Sequence, residues 1–432
     1  MEPPNELTTL FLDLNAYFAS VEQHLEPALR GRPVAVVPVM KETGCCIAAS
    51  YEAKAHGVRT GTRVAEARRL CPGIAFVPSR PEVYTRIHHQ IIAAVETCIP
   101  IEGVYSIDEM SCRLDRRERP RAAALELAGC VKRAIRERVG ETLRCSIGLA
   151  QNRFLAKVAT DMEKPDGLVV IEPRDLPHVL YDLELTDLPG IADAMQERLH
   201  RHGVYTVAQL CDASQERLRT IWGGIVGERW WHWLRGGEPA ENSRRRHSIG
   251  HQHVLPPEFR TLEAARGVTV RLLLKAAARL RHARCLAGRI VLAVGFPGRT
   301  WVEHGPLHGS QDSLGMLEVL GGFWDRVPAA FAESIPNFVG VTLCELEDER
   351  QATAPLFPEV RRRANLSKAL DGLNQKFGRN AVYVASMHAY RESAPGGIAF
   401  GTIPNLDLPD SVGPGRVPPS PPKDGGPHAR GH

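Results

Sequence analysis

No Cys-x-x-Cys pair occurs among the ten cysteines of this 432-residue chain. Neither a zinc module nor a disulfide framework is therefore signalled, and reduced thiols point to the cytoplasm. No apolar run approaches the length of a membrane span. The opening Met-Glu-Pro-Pro-Asn-Glu lacks the basic and apolar regions of a signal peptide. A strong overall charge is missing too: at +4 the chain is no basic tail protein. Acids are scarce in one place, since between Arg244 and Arg289 ten arginines and one lysine meet only Glu258 and Glu263. The length suggests roughly two to four domains, each able to bury a core.

What is present centres on Val104-Tyr105-Ser106-Ile107-Asp108-Glu109-Met110-Ser111-Cys112. The stretch reads as a strand or hairpin interrupted by two adjacent carboxylates. Neighbours in an extended chain point to opposite faces, so such a pair belongs on a rim or a turn. A bound divalent cation is the least costly way to keep both ionised beside apolar strands. Asp13 ends another apolar strand, Leu10-Phe11-Leu12-Asp13-Leu14. If the two strands are neighbours, three carboxylates converge, a donor set that suits Mg²⁺ and phosphate oxygens. The plainer alternative makes the pair an exposed hairpin corner and Asp13 a helix cap.

In chain order, strands are expected at Leu7–Leu14, Pro33–Val39 and Ile74–Val77, with Cys45–Ser50 as the hairpin partner of the second. Helices are expected at Asn15–Glu26, Tyr51–His56, Val64–Leu70, Glu82–Cys98, Ala122–Val139 and Arg153–Met162, with a strand at Leu143–Ala150. The alternation suggests a sheet of mixed direction rather than a doubly wound parallel one. From about Arg174 to Gly237 the pattern is all helical. There Leu188-Pro189-Gly190-Ile191 looks like a helix-hairpin-helix turn that offers backbone N–H groups to a phosphate. Trp222, Trp230, Trp231 and Trp233 read as core and interface. Ser248–Val254, Leu262–Cys285, Arg289–Gly295, Thr300–His304, Ser313–Arg326 and Phe338–Glu345 follow the order of a split β-α-β module. Its first helix carries Arg266, Arg271, Lys275, Arg279, Arg281 and Arg284, either a solvated face or, given the missing acids, a phosphate-tracking surface. Beyond about Leu406 the Pro- and Gly-rich chain is expected to be disordered.

Several of these pieces together resemble the Y-family, DinB/UmuC-like translesion DNA polymerases. Phe11-Leu12-Asp13-Leu14-Asn15-Ala16-Tyr17-Phe18-Ala19-Ser20-Val21-Glu22 is similar to their opening motif, and Ser106-Ile107-Asp108-Glu109 to their second catalytic motif. Ala49-Ser50-Tyr51-Glu52-Ala53-Lys54 resembles the fingers motif. Ser146-Ile147-Gly148, Phe154-Leu155-Ala156-Lys157 and Asp161–Gly167 resemble the end of the palm, and Ala369–Gly378 the tail of the UmuC-like branch.

The resemblance implies an α+β right hand. Its parts would be a ferredoxin-like palm (1–16 and 83–172), small fingers (17–82), a helical thumb with the helix-hairpin-helix (173–237), a linker (238–247) and a split β-α-β little finger (248–348). A C-terminal extension (349–405) and a disordered tail (406–432) would follow. It implies low-fidelity, template-directed DNA synthesis from dNTPs on primer-template DNA, with two Mg²⁺ held by Asp13, the Leu14 carbonyl, Asp108 and Glu109. Tyr17, Phe18, Tyr51, Lys54 and Lys164 would meet the dNTP, with Phe18 as the steric gate against a 2′-OH. Pro189, Gly190, Ile191, Arg245, Arg246, Arg271 and Lys275 would meet DNA. Core packing is the alternative for Phe18 and Tyr51, and solvation for the two lysines. Leu356 and Phe357 are the candidates for a sliding-clamp contact, although Gln351 lies too far upstream of the usual pattern. A cytoplasmic monomer is expected.

The chain departs from the family at Met110-Ser111-Cys112-Arg113, at Ala48 where a threonine is usual, and at Lys54 where many relatives carry Arg. Two other readings compete. A DNA-binding accessory protein would keep the fold without the activity, but all three acids are present. A nucleotide cyclase with a palm-like sheet would not need the basic second module.

Overall fold

Thr9–Leu14 (β1) alternates so that Leu10, Leu12 and Leu14 share one face and Thr9, Phe11 and Asp13 the other, and all six residues are buried. Burial on both faces requires cover on both. The structure, a computed structural model, describes residues 6–38, 40–42, 44–239, 248–353, 358–378, 380–391 and 393. They fall into two compact units, 6–239 and 248–393.

In the first unit, Tyr17–Leu25 (α1) follows β1. Val34–Val37 (β2), Ala48–Ala49 (β3) and Ala75–Pro78 (β4) form a small sheet in the order β3-β2-β4, with Tyr51–Ala55 (α2) and Val64–Leu70 (α3) between its strands. Pro81–Glu96 (α4) leads into the hairpin of Ile101–Val104 (β5) and Glu109–Arg113 (β6). Arg121–Arg138 (α5), Cys145–Ala150 (β7), Arg153–Met162 (α6) and Leu168–Val170 (β8) come next. The main sheet runs β5-β6-β1-β7-β8, antiparallel except for β7 and β8, so its direction is mixed as the alternation suggested.

Helix α6 lies on the sheet face that carries Phe11, in one core with Phe154, Leu155, Val158 and Ala159. It can approach because residue 148 is glycine: a Cβ there would sit 2.0 Å from the Ala156 carbonyl oxygen. Asn152 starts the helix by accepting the Leu155 N–H at 2.8 Å. Asp193–Arg201 (α7), Val207–Asp212 (α8), Gln215–Trp222 (α9) and Ile225–Trp233 (α10) complete the unit. Trp230 is buried in their core and Trp222, Trp231 and Trp233 pack around it.

The second unit holds Ser248–Val254 (β9), Leu262–His282 (α11), Cys285–Phe296 (β10), Arg299–Ser310 (β11), Ser313–Trp324 (α12), Ala329–Ala332 (α13) and Phe338–Asp348 (β12). The sheet is antiparallel in the order β11-β10-β12-β9, the split β-α-β arrangement. Leu272, Leu280, Met316 and Phe323 from the helices meet Ile290, Leu292, Val339 and Val341 from the sheet.

Pro358–Phe377 (α14) and a short turn of helix at Ala385–Tyr390 then pack back onto this unit. Asp371 pairs with Arg281, Ser367 Oγ accepts the Ser313 N–H, and Tyr390 sits against Gly267, where a Cβ would lie 2.0 Å from the ring. This cover corrects the expectation for α11. Arg271 and Lys275 do not line an open phosphate-tracking face; they are 1% and 4% exposed. Arg245, Arg246, Leu356, Phe357 and the tail from 406 lie outside the described residues.

Candidate active site

Strands β1 and β6 pair so that Asp13 stands directly opposite Glu109. Opposed residues of an antiparallel pair point to the same face, with Cβ atoms about 5 Å apart. Asp108 sits one residue before β6, in the bend that closes the hairpin. The bend breaks the alternation that would send adjacent acids to opposite faces. Three contacts fix it. Leu14 N–H donates to the Asp108 carbonyl at 2.8 Å. Ser106 Oγ donates to Asp108 Oδ1 at 2.5 Å. His88 Nδ1 bonds the Ile107 carbonyl at 2.7 Å. A carbonyl only accepts, so the His88 proton is assigned to Nδ1. Burial pulls this histidine down to about 4, which leaves it neutral at pH 7.

Asp108 is held above the usual aspartate range. Its carboxyl is raised chiefly by burial and then by the like charges of Asp13 and Glu109, against the Ser106 hydrogen bond. Helix α6 and the loop after it supply the counter-charge. Lys157 Nζ lies 2.5 Å from Asp13 Oδ2, 2.9 Å from Glu109 Oε1 and 3.3 Å from Asp161 Oδ2. Lys164 Nζ lies 2.8 Å from Asp13 Oδ2 and 2.7 Å from Asp161 Oδ1. Burial works against the Lys157 charge, but Asp13, Asp161 and Glu109 outweigh it and push the ammonium up.

The small sheet contributes α2, whose first turn is capped by Ser50 accepting the Ala53 N–H at 3.3 Å. From it Lys54 Nζ rests over the Tyr51 ring, 4.3 Å from its centroid. Burial pushes Tyr51 up to about 12, and Asp13 and Asp161 add to it. Lys54 is lowered by burial and by Lys164, while Asp13 opposes. Tyr51, Lys54 and Lys164 thus lie within the field of one carboxylate, Asp13, with Lys164 itself exposed.

Tyr17 and Phe18 lie deeper, each 3% exposed. Tyr17 Oη donates to the Tyr84 carbonyl at 2.6 Å, and the Phe18 ring stacks on Tyr84 at 4.6 Å. Any contact from Phe18 to a ligand is therefore by a ring edge. At the hairpin turn Gly190 is exposed with φ at +102°, and Pro189 is half-buried. Ile191 is only 4% exposed and packs in the helical core, so its side chain is not a DNA contact; its backbone N–H goes to the Leu188 carbonyl.

The residues fit a hard divalent cation by donor chemistry: three carboxylates on one rim, two of them already sharing a single cationic group, Lys157 Nζ. Among the described residues no three His, Cys, Asp or Glu groups already surround one centre. Sequence reasoning assigned no role to Lys157 or Asp161. Their i,i+4 spacing on a helix next to an acid-bearing strand was the available signal. His88 and Ser106 left no such pattern.

The chain matches the family model described as impB/mucB/samB family over residues 12–161, and that of the family's C-terminal domain over 246–356. Similar curated proteins include a DNA polymerase IV of Moorella thermoacetica, 32% identical over 394 residues, which span 88% of this chain and 96% of that protein. Another is DNA polymerase IV 2 of Mesorhizobium japonicum, 32% identical over 87% of this chain and 93% of that one. Among solved structures, a Y-family DNA polymerase chimera of Dbh and Dpo4 shares the fold with a TM-score of 0.68, at 24% identity over 79% of this chain and 99% of the other. A Dbh ternary complex gives a TM-score of 0.56 at 26% identity, over 78% and 98% of the two chains.

Proposed function

Because this chain belongs to the impB/mucB/samB family, and so to the Y-family, DinB-like DNA polymerases, we propose that Asp13, Asp108 and Glu109 are its catalytic carboxylates. The chain is a DNA-directed DNA polymerase of the translesion class. The finer reading is nucleotidyl transfer from a dNTP to a primer 3′-OH with two Mg²⁺. The observation that carries it is the pairing of Asp13 with Glu109, with Asp108 on the same rim and its charge resisted by its neighbours.

Y-family polymerases generally use divalent metal ions, and here the three carboxylates, with the Leu14 carbonyl, would hold them. Bound there, magnesium would lower the pKa of the 3′-OH and neutralise the departing pyrophosphate. The chain's own groups do the positioning. Lys54, Lys164 and Tyr51 surround the approach to Asp13 and suit the triphosphate charge, and Lys157 keeps Asp13 and Glu109 side by side. Ser106 orients Asp108 and His88 holds the turn that carries it. Phe18, backed by Tyr84, would act as the gate against a ribose. The exposed turn at Gly190 and the residues beyond it would follow the DNA backbone. The proposal includes a monomer and a cytoplasmic location, the latter in keeping with ten free thiols. No helix among the described residues is long and apolar enough to cross a membrane.

Primer extension on an undamaged template with Mg²⁺ tests the reading. The wild type should add deoxynucleotides and Asp108→Asn should not. An Asp108→Asn protein that extends as well as the wild type would favour a metal site elsewhere.

A further inference from the structure

A cavity of about 70 Å³ lies between α11 and the C-terminal extension, wholly inside the second unit. Arg271, Lys275 and Arg281 line it from α11, and Asp371 from α14 is the carboxylate among its described lining residues. That carboxylate is already engaged: Arg281 Nε and Nη2 donate to its two oxygens at 2.5 and 2.8 Å. The neutral lining groups are largely engaged as well. Asn374 exchanges two hydrogen bonds with the Val382 backbone, and Ser313 Oγ accepts from Arg281.

Arg271 is different. It is 1% exposed, and none of its three guanidinium nitrogens finds an acceptor. A guanidinium cannot shed its proton at any physiological pH. Burying it uncompensated is costly, and water filling the cavity would accept its hydrogen bonds without cancelling its charge. Lys275 follows one turn later on the same face. Burial, then the charges of Lys275 and Arg279, hold His251 below the usual histidine range, and burial with Lys275 does the same for His253. Arg271 and Lys275 both line the cavity, and the Arg271 guanidinium is the one whose nitrogens have no hydrogen-bond acceptor among the described residues.

We propose that this cavity binds a small tetrahedral oxyanion, a free phosphate group, on the Arg271 fork with Lys275 as the second charge. The size fits: on this measure one water needs about 10–15 Å³, so the space holds several waters or one phosphate. The fork donates two parallel hydrogen bonds to such an anion. Because the anion would bridge α11 to the extension, its binding should tighten the packing of the extension on the second unit.

The test is calorimetric titration of inorganic phosphate into the full chain, with chloride at matched ionic strength as control. Three proteins are compared: wild type, Arg271→Met and Lys164→Ala. The expected result is one saturable site in the wild type, kept in Lys164→Ala and weakened at least tenfold in Arg271→Met. Loss in Lys164→Ala with retention in Arg271→Met would place the phosphate at the triphosphate approach and overturn the proposal. Absence of saturable binding in the wild type would overturn it too, whether or not Arg271→Met folds. A parallel titration with an unphosphorylated single-stranded oligonucleotide separates the sources. Arg271-dependent binding of that strand, with none of free phosphate, would make the ligand a backbone phosphodiester and refute the free-phosphate assignment.

Discussion

The two units hold opposite excesses of charge. On the rim of the first, Asp13, Asp108, Glu109 and Asp161 face Lys157 and Lys164, and the surplus is negative. In the cavity of the second, three cations face the already paired Asp371. The first cluster is polar, partly open and internally paired. The second lies under the C-terminal extension, and there the Arg271 guanidinium has no hydrogen-bond acceptor among the described residues. On the readings proposed above, the first would take a cation and the second an anion.

Removing a carboxylate should affect the comparison most. Asp13→Ala is expected to slow single-nucleotide incorporation by about 100-fold or more, the scale set by losing one preorganised electrostatic contact. Rapid-quench kinetics would measure it, and a change under tenfold would remove Asp13 from the catalytic set. Gly148→Ala comes next. Its Cβ would press on the Ala156 carbonyl, so α6 must shift. Overpacking of this kind costs about 1–3 kcal/mol, readable by urea denaturation, and incorporation should fall too as Lys157 moves. Unchanged stability would show that α6 is loosely seated.

Lys164→Ala should raise the KM for dNTP by about tenfold, near 1.4 kcal/mol, with a smaller change in kcat. An equal fall in kcat with KM unchanged would place Lys164 in the transition state rather than in ground-state binding. The smallest effect concerns pH. Asp108 is raised in the folded state, so it favours folding below the usual aspartate range and that contribution is lost as pH rises through its folded value. In metal-free protein, thermal denaturation across that window should show a shallow decline that Asp108→Asn abolishes. Identical slopes would mean that Asp108 carries no strain.

Much of the first unit was legible because local signals were strong. Val64–Leu70 and Arg153–Met162 have the bounds that their periodicity and stop residues suggest. Adjacent acids interrupting an apolar strand located the rim, and the bend at 106–108 is the turn such a pair demands. The bonds from Arg80 and Tyr84 to the buried Glu22 could not be read, since Glu22 lies about sixty residues before them. On α11 the pattern misled. Arginines at helical spacing with few local acids look like an open, phosphate-tracking stripe, and what covers Arg271 arrives about a hundred residues later, with Asp371 and Tyr383. Charge balance is a property of tertiary neighbours, and composition within a window does not contain it.

The central claim is that Asp13, Asp108 and Glu109 bind a divalent cation together. Mn²⁺, which favours the same oxygen donors, can be titrated into the wild type and into Asp108→Asn and followed by electron paramagnetic resonance. The account predicts saturable binding in the wild type in the presence of dNTP, and a large loss in the variant. Equal affinity in the two proteins would contradict it.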